Sequence, residues 1–358
     1  MAYFLIIWIK NKEYTHILKT LGIGLTAGII GLAVNAPLLL STYEYGKESI
    51  RGGSKLITKD SKTTSTGLNK DYALSYSMYK SEPLVLMFPN IYGGGSDPNA
   101  VDPANSKAIE TLQQMQPQVA QQLQSFLSFY WGGIGFTAGP PYVGVIICFF
   151  ALLGFSVKEN KHKWWIAATI ILSFLLSAGS YLESFNVFIL NNIPFYNKFR
   201  APSMIMVIPT LLLGIMALYG MAEIATETSL KNITKKYKLS FILVGIILLS
   251  VLSIYFTSDF KSDGERNLIE QIAKIPDANQ RAAFEAPARD LVNAIATDRK
   301  GMIEGDVVKF FIYLLLIFAL VFLAIKKVIN QTILLIGFGI LSMIDLLKKF
   351  IEKFYYAQ

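Results

Sequence analysis

The chain has 358 residues, of which 53% are hydrophobic and only 16% charged, and its mean hydropathy is +0.44. Soluble domains carry about 25% charged residues, so these values argue against a soluble fold and for a polytopic membrane protein. The formal net charge of +8 comes largely from lysines flanking apolar runs, where they meet anionic headgroups, and does not imply nucleic-acid binding.

The first element is an apolar stub, residues 3–9, that runs directly into Lys10, Asn11, Lys12 and Glu13. It has the form of a helix end without its beginning and lacks the layout of a secretory signal, so the chain is expected to be a piece of a longer protein. Seven apolar runs follow, at 21–40, 142–157, 164–182, 201–222, 239–257, 310–325 and 332–347. Each approaches the ~20 residues that cross ~30 Å of hydrocarbon, so an all-α membrane fold with about seven spans plus the N-terminal stub is expected. The implied organisation is a stub, hinge and first full span over 1–40 and a large extracytoplasmic loop with interfacial helices over 41–141. Four spans with a short outer loop at 183–200 then occupy 142–257, a second long outer loop 258–306, and the last two spans and tail 307–358.

Orientation follows from the short connections, because basic residues beside a span stay on the cytoplasmic side. Lys10, Lys12 and Lys19 precede the first full span, and Lys158, Lys161 and Lys163 follow the second. Lys231, Lys235, Lys236 and Lys238 follow the fourth, and Lys326 and Lys327 the sixth. All fall on alternate sides of successive spans, which places the long loops outside. Lys348, Lys349 and Lys353 dissent, so the last run is either a half-span or continues into a further domain. The single Cys148 lies in an apolar run and forms no internal disulfide. With only His16 and His162 besides, a metal site of zinc type is not expected.

Candidate chemistry concentrates in the outer loops. After the first span, Glu44, Lys47, Glu48 and Arg51 share one face if helical, as an ion-paired solvated face or as a polar binding edge. Residues 52–67 are rich in Ser, Thr, Lys and Gly and read as a mobile connection. Residues 71–95, DYALSYSMYKSEPLVLMFPNIYGGG, are the densest polar-aromatic segment, with Asp71, Lys80, Glu82, Asn90 and Tyr92. Aromatic faces beside Asp, Glu, Asn and Lys suit a sugar-lipid substrate, and tyrosines at this level also serve as interfacial anchors. In the Gln-rich stretch that follows, Ile109, Leu112, Met115 and Val119 recur at helical spacing, as a helix on the membrane surface or packed on the loop. Tyr196, Asn197, Lys198 and Arg200 precede the fourth span, where the two cations either clamp a phosphate or snorkel. Asp298, Arg299, Lys300 and Glu304 read as a charged helix end. No nucleotide-binding loop, HExxH or GxSxG is present, and Gly93–Gly95 lacks the Lys-Ser/Thr of a phosphate loop.

The segments TYEYGKESIRG (42–52), KDYALSYSMYKSEPLVLMFPNIYGG (70–94), PFYNKFRAPSM (194–204) and DRKGM (298–302) resemble, in order and spacing, the middle portion of the bacterial YfhO-like membrane proteins. The resemblance implies a GT-C-type glycosyltransferase of the bacterial cytoplasmic membrane. Such an enzyme moves a sugar from a polyprenyl-phosphate donor onto a cell-envelope glycan or polymer. Its partners would be the lipid-linked donor, the acceptor and membrane lipids, with no cofactor and no nucleic acid. The usual catalytic carboxylate of such enzymes lies in a first outer loop that would precede this chain, so the base is unassigned.

Inverting transfer needs a carboxylate to deprotonate the acceptor and cations for the departing phosphate. Lys198 and Arg200 are the candidates for the phosphate. Glu44, Arg51, Asp71, Lys80, Glu82, Asn90, Tyr92, Tyr196 and Asn197 are the candidates for sugar or acceptor. Two other readings stand beside this one. A non-catalytic scaffold or inactive fragment would tolerate loss of Glu44 and Arg200. A transporter or flippase would draw on the span interruptions at Asn35, Pro37 and Pro209, with no mid-span carboxylate.

Overall fold

The computed structural model describes residues 2–49, 67–97, 101–157, 160–227 and 229–355. Among them there are helices, short 3-10 turns and irregular connections, and no strand. In chain order the helices are α1 (Ala2–Lys10), α2 (Tyr14–Val34), α3 (Ala36–Glu48), α4 (Lys70–Ala73) and α5 (Lys107–Gln114). They continue as α6 (Pro117–Leu123), α7 (Val145–Ser156), α8 (Lys163–Ser177), α9 (Glu183–Asn192) and α10 (Val207–Thr226). The last five are α11 (Leu230–Lys236), α12 (Lys238–Thr257), α13 (Asp263–Ala273), α14 (Ala278–Ile325) and α15 (Gln331–Tyr355). The chain divides into two compact units, Met1–Ser75 with Ser184–Ala201, and Tyr76–Glu183 with Pro202–Gln358.

Four helical stretches are long and apolar enough to cross a membrane: Tyr14–Val34, Pro202–Thr226, Lys238–Thr257 and Ala278–Ile325. The broken pair Lys163–Ser177 and Gly179–Asn192 makes a fifth if counted as one span. Two further apolar helices, Val145–Ser156 and Gln331–Leu347, are shorter. At 1.5 Å per residue the first of these covers only ~18 Å, against ~30 Å of hydrocarbon. Apolar side chains on the outer faces of the long helices, such as Leu211 and Leu218 of α10, Leu249 and Phe256 of α12 and Leu315 of α14, are more than two-thirds exposed. Lipid is the solvent that makes such surfaces stable.

In the first unit the expected span at 21–40 is shifted toward the N-terminus. The helix begins at Tyr14 and ends at Val34 because Pro37, at the start of α3, has no N–H to continue the ladder. Asn35 marks the break, its side-chain amide donating to the Gly31 carbonyl at 2.9 Å.

In the second unit α7 and α10 are in backbone contact. A Cβ on Gly154 would lie 2.1 Å from the Met216 carbonyl oxygen, and one on Gly220 2.1 Å from that of Phe150. Small residues at the crossing are the membrane solution to close helix packing. Gly154→Ala and Gly220→Ala are each expected to lower stability by about 1–3 kcal/mol, the usual range for overpacking. Unfolding midpoints in detergent equal to wild type would show that the two helices separate without cost.

Outside the spans, α5, α6, α13 and the first half of α14 enclose a second core of Ala108, Leu112, Val119, Leu123, Leu268, Ile272, Leu291 and Ile295. The amphipathic pattern over 109–119 therefore packs on the loop, and it breaks into two helices at Gln116–Pro117. The segment 278–306 is continuous with the sixth apolar run in one 48-residue helix. Along α14, Ala288, Leu291, Val292, Ile295, Arg299, Ile303, Asp306, Phe310, Tyr313, Ile317 and Val321 form one buried stripe at spacings of mostly three and four. Two charged residues thus sit on the apolar face of the helix.

Candidate functional site

Each unit holds its own set of candidate residues. In the first, α4 and the 3-10 turn Tyr196–Lys198 pack on a small core of Leu68, Ala73, Leu74 and Leu190, with Tyr196 against it. Asn197 fixes the approach of residue 68, its carbonyl accepting from the Leu68 N–H at 3.0 Å. Arg200 lies across the Tyr72 ring, 4.4 Å from its centroid, and donates to the Tyr72 hydroxyl at 2.7 Å and the Ser75 hydroxyl at 3.2 Å. Phe195 and Ala201 bracket this turn with φ of 66° and 65°. Side chains other than glycine are rarely held in that left-handed region, and such strain gathers where a loop's shape is functional. Lys198 is half-buried on the same turn. Asp71 is exposed, with Lys70 beside it at 3.8 Å, and Glu44 is exposed on α3. Arg51 lies outside the described residues.

In the second unit the residues from 79 to 92 divide into two groups. Glu82 is 1% exposed and wholly engaged. It accepts from the Tyr79 N–H at 2.8 Å, the Gly133 N–H at 3.0 Å and the Tyr130 hydroxyl. Burial pushes its carboxyl above the usual carboxylate range, against the opposing pull of those three donors. Asn90 is held by Asp306 of α14, through its N–H at 2.7 Å and its side-chain amide at 3.0 Å. The three glycines after Tyr92 serve close passage of the chain. Gly93 has φ of 81°, and a Cβ there would fall 1.7 Å from the Phe129 carbonyl oxygen.

The other group is a row of aromatic rings. Tyr181 meets Tyr79 edge-on at 4.6 Å, Tyr79 lies 5.8 Å from Tyr92, and Tyr92 lies 4.8 Å from Trp131. Ser81 fixes the Tyr92 hydroxyl at 2.6 Å. Burial foremost, then neighbouring Tyr181 and Asp263, hold the proton on Tyr79. The indole N–H of Trp131 is buried and has no acceptor among the described residues. Such an orphan donor costs about 1–3 kcal/mol unless a ligand or water satisfies it. Lys80 is exposed beside the row.

Sequence reading missed the most heavily bonded residues. Arg299, read as part of a charged helix end, is 0% exposed. It forms a two-pronged ion pair with Glu265 at 2.7 and 2.8 Å and donates to the carbonyls of Phe129 (2.8 Å), Ser128 (2.8 Å) and Phe260 (2.5 Å). Asp298 accepts from the Ser106 hydroxyl (2.7 Å) and the Lys107 and Ala108 N–H groups (3.0 Å each), and so caps the start of α5. Asp345, in the last apolar run, is also 0% exposed. It meets Lys309 at 2.9 Å, the Tyr142 hydroxyl at 2.5 Å and the Val145 N–H at 2.7 Å. Asp298, Arg299, Asp306 and Lys309 thus form a polar ladder on α14 that latches the irregular segments to the helix. The periodicity of the α14 stripe, applied across its charged positions, is the signal that would have found Arg299 and Asp306.

Among the described residues no three His, Cys, Asp or Glu side chains converge as a metal site requires. No protein-family model, curated protein or solved structure matches this chain.

Proposed function

We propose that this chain belongs to a GT-C-type glycosyltransferase of the bacterial cytoplasmic membrane, with about seven spans and its long loops outside, as the YfhO-like resemblance implies. It would transfer a sugar from a polyprenyl-phosphate donor to a cell-envelope acceptor. The observation that carries this reading is the row Tyr181, Tyr79, Tyr92 and Trp131 with the unsatisfied Trp131 N–H. Aromatic faces stack on the C–H face of a pyranose, and an orphan donor among them is suited to a sugar hydroxyl. Within the first unit, and taken by itself, Arg200, oriented by Tyr72 and Ser75 two residues after Lys198, is the cation proposed for a phosphate. Glu82 is withdrawn as a sugar ligand, because a carboxylate sealed by three internal donors reaches no hydroxyl.

The test is transfer from a panel of radiolabelled polyprenyl-phosphate sugars in membranes carrying the whole protein. One donor is expected to be consumed. Trp131→Phe, which keeps the ring and removes the N–H, is expected to slow transfer about tenfold, and Arg200→Ala by about 10–100-fold. If no donor is consumed by folded protein, or both variants transfer at the wild-type rate, the transferase reading falls.

A scaffold is the second reading. It is favoured by the internal bonding of Glu82, which joins residue 79 to Tyr130 and Gly133, and of Asn90, which holds the loop to Asp306 of α14.

A further inference from the structure

At one end of the second unit's bundle the C-terminal halves of α7, α10 and α14 meet the start of α12. Between them lies a cleft floored by Phe149, Phe150, Leu153 and Ile224, with Ile233 and Phe241 on one wall and Ile317 and Val321 on the other. Its mouth lies between Leu230 and Phe318, both more than one-third exposed. The empty space is ≈ 330 Å³ with the open mouth included, it is narrow inside, and no polar atom lines it. A water there would find no hydrogen-bond partner, so the slot is stable only when dry or filled by hydrocarbon. In a bilayer the hydrocarbon at that mouth is an acyl chain.

Lysines surround the same end. Lys231 adjoins Leu230 on α11, Lys235 follows a half-turn beyond Ile233, and Lys238 lies one turn before Phe241. All three are exposed and, among the described residues, have no carboxylate in ion-pair range. The nearby acids are already engaged: Glu223 and Glu227 both bind Lys236, the latter at 2.8 Å. Lys326 and Lys327 follow Val321 by little more than a turn at the end of α14. An apolar slot open to lipid beneath uncompensated ammonium groups is complementary to an anionic phospholipid more than to a zwitterionic one.

We propose that this cleft is a binding site for one anionic phospholipid, its acyl chain between α11–α12 and α14 and its phosphate among Lys231, Lys235 and Lys238. The site is independent of the transferase reading. It lies on the face that the lysine distribution assigns to the cytoplasm.

The test is native mass spectrometry of the whole protein in detergent, titrated with dioleoyl phosphatidylglycerol, with dioleoyl phosphatidylcholine, or with chain-free glycerophosphoglycerol. An unpaired lysine at a membrane surface is worth about fivefold in affinity for anionic lipid, so three give about a hundredfold. Phosphatidylglycerol is therefore expected to be retained at about a hundredfold lower concentration than phosphatidylcholine. The triple change Lys231→Gln, Lys235→Gln, Lys238→Gln is expected to erase that preference, and Lys107→Gln with Lys274→Gln in the loop helices to leave it intact. Chain-free headgroup is expected not to displace the lipid. Equal retention of the two lipids by wild-type protein, which depends on no variant, overturns the proposal. So does undiminished preference in the triple variant. Displacement by glycerophosphoglycerol would mean a simple phosphate site and overturns the role of the cleft.

Discussion

Replacing Arg299 by alanine is expected to destabilise the protein by about 3–5 kcal/mol, the cost of leaving one partner of a buried ion pair alone. A domain's whole stability is about 5–15 kcal/mol, so this is a large share. Glu265, 3% exposed, would be left buried without its guanidinium partner, and the carbonyls of Ser128, Phe129 and Phe260 would lose their donor together. Glu265 does carry a second bond, accepting from the Ser262 N–H at 2.8 Å in the capping box of α13, but one backbone donor does not replace a two-pronged guanidinium. Arg299→Lys is expected to rescue little, since one ammonium cannot span a two-pronged carboxylate and three carbonyls. The Arg299→Ala, Glu265→Ala double variant should be less destabilised than the sum of the singles, yet well below wild type. A hydrophobic exchange that removes both charges still orphans the carbonyls. Thermal unfolding in detergent measures all four proteins. Limited proteolysis should show cleavage rising first in 257–275, where the clamp holds α13. A midpoint for Arg299→Ala within about 1 kcal/mol of wild type would mean the clamp contributes no more than a surface pair.

How far the structure could be read from the residues depended on the range of the signal. Apolar helices were accessible because lipid demands apolar side chains over a continuous stretch, and 238–257 coincides with its run to within one residue, yet of the seven expected spans only four helices, or five with the bent pair, are long and apolar enough to cross. Periodicity placed helix in the loop, since packing of Ile109, Leu112 and Val119 needs only local spacing, but it read as one helix what Pro117 divides into two. The extent of α14 was not accessible. Its extramembrane half carries Asp290, Asp298, Arg299 and Glu304, and their charge masked a stripe that runs unbroken from Ala288 to Val321. The internal ligands of Glu82 lie up to 51 residues away, and those of Arg299 up to 171, distances at which composition and spacing carry no pairing information. Candidate site residues were therefore chosen by type, and type does not distinguish a carboxylate facing a ligand from one that holds two segments together. Glu82 and Asn90 make bonds of the second kind.

Asp345→Ala is expected to cost about 3–5 kcal/mol, and here the same substitution removes two different things. The first is the anion for Lys309, which is only 17% exposed. The second is an acceptor at the start of α7. That helix does not begin earlier, because Gly144 holds φ of 108°, outside the helical range, and the first N–H groups of a helix have no partner within it. Val145 satisfies its own with the Asp345 carboxylate, which serves as a cap from a helix 200 residues away. Asp345→Asn separates the contributions. An amide oxygen still accepts from Val145 but carries no charge for Lys309, so this variant is expected to fall between wild type and Asp345→Ala. Adding Lys309→Met to Asp345→Asn removes the stranded ammonium and should recover most of the difference. Unfolding midpoints of the three variants decide the matter. If Asp345→Asn is as unstable as Asp345→Ala, the cap contributes nothing; if Lys309→Met fails to restore it, the ion pair does not hold α14 to α15. A pair that exists to move a proton or ion would respond differently. Its neutralised double variant would remain stable and lose transport, whereas a pair that latches α7, α14 and α15 changes stability alone.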